Sequence, residues 1–322
     1  MRAAWDWHLP VETEEQQRAV VTFAHKLGFD TLVVPGPTDA MVRCGKDLGV
    51  RVVAIVTPYP EPDYAERHPE CLQRILPVEN AIRDAVRASA AQGHQQLTGR
   101  WYATVEEKPL FCFEDSSSRE ALRDRVSRAL EVAEGVAFDG FGFRNRYACH
   151  CPRCEEIRRG TIATNADLSE AEVVARMSEE SLVDVSQVLY EHAKSVKSES
   201  IVMNHVWPPF RPNLHYGNRL RLDYCSQTIS WFYRPSWSLQ RVEFEASELA
   251  RLEDRNLNVF VPFIGLFDDP HLLRSAARIA KELEIARIFG GGHLVFCNLK
   301  SLQRYPELRE VVRAELAEFP TV

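Results

Sequence analysis

Eight short apolar runs, each followed by a stretch of helical periodicity, repeat along this chain of 322 residues. A strand apolar on both faces must be covered on both, so the repeat calls for β–α units around a parallel sheet. The runs predict strands at Arg2–Trp7, Thr31–Pro35, Arg51–Thr57, Ala137–Phe143, Ile201–Val206, Asp223–Ser230, Asn258–Leu266 and His293–Asn298. Capping boxes at Thr13–Gln16 and Ser117–Glu120 open two of the helices, and Gly28 closes the first. Asp268-Asp269-Pro270 has the form of another helix start, and Leu302–Phe319 reads as the last helix.

Eight such units suit a (β/α)8 TIM barrel, an α/β fold that typically takes about 250 residues. The doubly wound dinucleotide fold is the runner-up. No Gly-x-Gly-x-x-Gly follows the first strand, and Gly290-Gly291-Gly292 precedes a strand and does not open a helix. One barrel domain over 1–322 is therefore expected. Residues 58–111 break the alternation after strand three and read as an insertion outside the barrel, with a helix near Val78–Ala91.

A net charge of -7 speaks against a nucleic-acid partner, which would need many phosphates neutralised. No apolar run is long enough to span a membrane, and the opening MRAAWDWHLP lacks the apolar region of a signal peptide. A cytoplasmic location is the expectation, and a homo-oligomer is compatible with everything here.

Cys149-x-Cys151-x-x-Cys154 follows strand four in a cysteine-rich loop. Three thiols at that spacing suit a tetrahedral Zn2+, and Cys112 is the candidate fourth ligand. His150 is the rival, but it would have to bend back onto an ion held by its own neighbours. Four thiolates close the coordination sphere and leave no place for a reacting water, so the metal is expected to be structural. Cys44, Cys71, Cys225 and Cys297 are expected to be free thiols.

In such barrels the chemistry sits at the C-terminal ends of the strands. Read from the predicted strands, that face carries Asp6, Trp7 and His8; Arg144, Asn145, Arg146 and Tyr147; Asn204, His205 and Trp207; Gln227, Trp231 and Tyr233; Asp268 and Asp269; and Asn298. Aromatic rings mixed with polar and charged groups suit a carbohydrate, whose ring faces stack on Trp while its hydroxyls take hydrogen bonds.

The segment from Cys112, with Ser116–Arg119 after it, through Arg144-Asn145 to Cys149, Cys151 and Cys154 resembles the family 42 glycoside hydrolases, the retaining β-galactosidase barrels. The resemblance covers about Cys112–Arg159 and implies a zinc-holding loop on a glycosidase barrel. It also implies a general-acid Glu after the strand-four Asn and a nucleophilic Glu at the end of strand seven. This chain has Arg146 at the first place and Phe263-Ile264-Gly265-Leu266 at the second. Arginine keeps its proton at neutral pH and cannot replace that acid.

Two readings follow. In one, a glycoside hydrolase-like barrel has moved its carboxylates to Asp6 and Asp268 or Asp269. Arg144 and Arg146 then receive an acidic sugar, because the planar guanidinium fork matches carboxylate and sulfate. In the other, the barrel binds carbohydrate as a pseudoenzyme without catalysing.

Overall fold

The computed structural model describes the chain apart from residues 8, 10–11, 78–107, 145–147, 208–213, 231–236, 267, 269–271 and 321–322. Eight parallel strands close into a barrel in chain order: β1 (Arg2–Trp5), β2 (Thr31–Val34), β3 (Arg51–Val56), β4 (Gly135–Phe138), β5 (Ile201–Val206), β6 (Tyr224–Ser230), β7 (Val259–Gly265) and β8 (Leu294–Cys297). Ala3 lies opposite Thr31 on one side and Val295 on the other, which joins the first strand to the last. The expected (β/α)8 architecture is the observed one. Among the described residues no helix is long and apolar enough to cross a membrane.

Alternation along each strand divides the core in two. Ala3, Trp5, Val33, Val53, Ala137, Met203, Val261, Phe263 and Val295 fill the barrel interior. Leu32, Val52, Phe260, Leu294 and Phe296 point outward against helices such as Glu14–Leu27 and Ala276–Phe289. Each fully buried side chain of this size contributes about 1.5–3 kcal/mol, so both layers are needed for stability.

Local chemistry explains the helix ends. Thr13 and Gln16 form the expected reciprocal capping box, and Gly28 takes the left-handed conformation (φ 99°) that stops the helix. The helix before β4 runs Ser116–Val132, and its cap is Asp115, not Ser117: Oδ1 of Asp115 accepts the Ser118 N–H at 2.8 Å. The helix after β7 is Ala276–Phe289, capped by Ser275, so Asp268 caps no helix there. The single closing helix expected at Leu302–Phe319 is two, Leu299–Arg304 and Pro306–Ala317. Pro306 has no N–H to continue the first helix, and it is well placed to begin the second.

The main revision concerns β4, expected at Ala137–Phe143 and found at Gly135–Phe138. Gly140 adopts φ +72°, which ends the extended run. Phe141 and Phe143 lie beyond the strand in a loop, and their apolar alternation comes from packing on Phe113, each ring 5.8 Å away. Of the insertion, the described parts comprise a helix at Pro62–Arg67, a tight turn at Pro69–Cys71 and an antiparallel bridge between Leu72 and Phe111. The helix expected at Val78–Ala91 lies outside the described residues.

Candidate functional site

With β4 ending at Phe138, the first residue past it is Asp139, a carboxylate that is 3% exposed. Its side chain shares the inward-facing set with Ala137. Oδ1 lies 3.2 Å from Nδ1 of His205 and accepts the Trp207 indole N–H at 3.0 Å. The Trp207 indole N–H also lies within reach of Nδ1 of His205, at 2.6 Å, and Nε2 of the same ring lies 2.9 Å from the Thr228 hydroxyl on β6. The imidazole also stacks on Phe263 (centroids 3.6 Å apart, planes at 11°) and meets the Trp5 ring at 5.6 Å. Strands β1, β5, β6 and β7 thus fix one ring, which in turn fixes Asp139.

Burial lowers the His205 pKa, and the Asp139 charge only partly opposes this, so the ring is neutral near neutral pH. Cys297, at the end of β8, has its thiol pushed well up by burial and further by Asp6 and Asp139. Tyr59 leans over the neighbouring peptide: a Cβ on Gly140 would sit 2.7 Å from its hydroxyl.

The other expected residues divide by strand face. Trp7 packs at the barrel's inner end. Asp6 is fully buried and accepts the Lys300 backbone N–H at 2.9 Å, tying β1 to the turn after β8. Asn204 and Gln227 look outward: Asn204 toward Leu182 and Ser186, Gln227 onto Gly217 and Asn218. Asn298 caps the helix Leu299–Arg304 through Ser301. Arg144 is held through its backbone N–H by Gln73 at 2.9 Å. Asp268 pairs with Arg304, which holds its carboxyl below the usual range. His8, Asn145, Arg146, Tyr147, Trp231, Tyr233 and Asp269 lie outside the described residues.

Sequence reasoning missed Asp139, Thr228 and Phe263. Asp139 is the lone carboxylate between Phe138 and Cys154, and that signal was obscured by extending β4 through the phenylalanines.

The thiol cluster lies behind the same loop. Cys112, Cys149, Cys151 and Cys154 are all buried, and their sulfur atoms lie within 4.8 Å of one another. Cys112 is 3.7 Å from Cys151 and 3.6 Å from Cys154. A tetrahedral ion with bonds of about 2.3 Å to sulfur needs edges of about 3.8 Å, so the four residues fit a metal. His150 turns away, its Nδ1 2.7 Å from Glu155. Backbone N–H groups of Arg74 and Cys151 donate to the Cys149 sulfur at 3.4 Å. The cluster joins three segments, since Cys112 N–H donates to Cys71 and His150 N–H to Arg74, both at 2.8 Å.

Solved structures share this architecture. The glycoside hydrolase domain of PgaB (BpsB) from Bordetella bronchiseptica superposes with a TM-score of 0.69 at 10% identity, covering 98% of both chains. The chain shares the barrel fold of that domain. A β-galactosidase from the Antarctic haloarchaeon Halorubrum lacusprofundi gives 0.68 at 14% identity, over 100% of this chain and 58% of that one. A catalytic mutant of a GH42 β-galactosidase from G. stearothermophilus gives 0.64 at 10%, over 98% and 56%. The chain thus spans little more than half the length of these two β-galactosidases. No protein-family model and no curated protein matches the chain by sequence.

Proposed function

We propose that this barrel acts on a carbohydrate as a glycosidase-type enzyme, with Asp139 as the carboxylate at the reacting centre. The observation that carries the reading is its placement: a buried carboxylate at the end of β4, held by His205 and Trp207, with the His205 ring seated on Trp5 and Phe263 of the barrel interior. A carboxyl group so placed suits general acid–base or nucleophilic work on a glycosidic bond. His205 and Trp207 orient it. Asp6, fully buried just past the end of β1, is the second carboxylate of this reading. Trp7 and Trp207 offer ring faces for a sugar, and Arg144 with Arg146 would favour one that carries an acidic group.

In the same reading the four cysteines hold a structural Zn2+, which clips the loop leaving β4 to the Cys112 segment. It has no part in the chemistry. A reducing, cytoplasmic setting suits four clustered thiolates.

The test is turnover of a panel of nitrophenyl glycosides and of neutral and uronic-acid polysaccharides. Asp139→Asn keeps an oxygen for Trp207 but cannot ionise, and it should lower kcat by a factor of about 10²–10⁴. Turnover that survives in Asp139→Asn removes the assignment. Saturable sugar binding without cleavage in the unaltered protein would establish the non-catalytic alternative.

A further inference from the structure

The opposite end of the barrel has a cleft of its own, independent of the proposed carbohydrate chemistry. About 450 Å³ in volume, it opens where β5, β6 and β7 begin, lined there by Ile201, Tyr224 and Val259. That size falls within the range for small-molecule sites. Four cations, Arg51, Lys194, Arg221 and Arg255, share it with two carboxylates, Glu199 and Asp223. Two of the cations also meet carboxylates beside the cleft, Arg51 with Asp30 at 3.8 Å and Arg255 with Glu253 at 2.8 Å.

The carboxylates do not use up the cations. Asp223 is engaged twice through Oδ2, by Lys194 Nζ and by the Val202 N–H, each at 2.8 Å. Lys194 gives a further bond to the Ser200 carbonyl at 2.6 Å, so this pair is self-contained. Arg221 donates one N–H to the Asn256 carbonyl and lies 5.3 Å from the centre of the Tyr190 ring, with Lys194 at 5.4 Å from the same centre. Arg255 contacts Glu253 through Nε at 2.8 Å. A guanidinium has five N–H donors, so both arginines can also offer a planar edge to an oxyanion. The floor carries a second mark of a polar ligand. Ser200, 1% exposed, lines the cleft, and its hydroxyl, which can donate to an oxyanion, has no hydrogen-bond partner. Buried polar atoms are normally satisfied, and a bound polar molecule is one way to satisfy them.

We infer that this cleft binds a compact polyanion, a phosphorylated or polycarboxylated small molecule, through Arg221 and Arg255 beside the Tyr190 ring. The experiment is isothermal titration of the full chain with inorganic phosphate and with citrate at constant ionic strength. Saturable binding of either is expected, weakened about tenfold or more in Arg221→Gln and in Arg255→Gln, both of which alter half-exposed or exposed side chains and should fold. Asp139→Asn should bind the anion unchanged, which separates this site from the mouth. Absence of saturable binding by both anions, or affinity equal to the parent's in both arginine variants, would overturn the inference.

Discussion

Trp207 follows β5 and Asp139 follows β4, yet the indole N–H of Trp207 donates to Oδ1 of Asp139 at 3.0 Å. Neighbouring parallel strands end side by side in a barrel, so two residues 68 apart in sequence become partners at its mouth. Trp207→Phe removes that donor while keeping a ring. On a sugar substrate found by the glycoside panel, this variant should lower kcat about tenfold, because Asp139 loses a bond that orients it. An unchanged kcat in Trp207→Phe would show that the indole does not position Asp139.

Metal content is a separate question. The purified protein should carry about one zinc per chain by elemental analysis, and Cys112→Ser or Cys151→Ser should carry little. A structural zinc site is worth several kcal/mol, so these variants should melt well below the parent. Equal melting temperatures with and without chelator would contradict a structural clip.

Stability should fall on mild acidification. Burial holds His205 below its ordinary value near 6.5 and takes His293 down to about 4. The unfolded chain takes up those protons near pH 6.5, the folded chain only at lower pH. Between these limits the unfolded state binds more protons, so stability is full above about pH 6.5 and is lost as the pH falls towards about 4. His293→Gln removes one titration. Urea midpoints should therefore fall less steeply with acid in this variant than in the parent.

Two glycines should respond in opposite directions. A Cβ on Gly135 at the start of β4 would lie 2.3 Å from the Ile201 carbonyl oxygen, so Gly135→Ala should cost about 1–3 kcal/mol. Gly160, inside the helix Pro152–Thr164, has nothing within 4 Å of that position. Gly160→Ala should add about 0.5–1 kcal/mol through helix propensity alone. Denaturant titration of both variants checks the pair.

The buried acid Glu282 is 0% exposed and bonded to Arg278 at 2.6 Å, with Arg274 at 2.9 Å. Glu282→Ala would strand two guanidinium groups against the β7–β8 side of the wall, at a cost of about 3–5 kcal/mol. A change below about 1 kcal/mol in the urea midpoint analysis would mean that water already serves those arginines.

Much of this molecule is determined by local chemistry along the chain. Eight apolar runs with helices between them admit few folds besides the closed barrel. Strand β5 was legible to the residue, and the Thr13 box and Gly28 stop were legible because each depends on neighbours within a few residues. The cysteine spacing likewise singled out the cluster. Only the tertiary structure decided which polar residues face the mouth. Side chains alternate with a period of two, so Asn204, hydrogen-bonded to the Cys225 thiol of the outer layer, and His205, stacked on Phe263 of the interior, point to opposite sides of the wall. Where β4 stops depends on Gly140 and on the packing of Phe141 and Phe143 against Phe113, a residue 28 or more positions away. That stop is what puts Asp139 at the strand end, and no pattern within the strand itself encodes it.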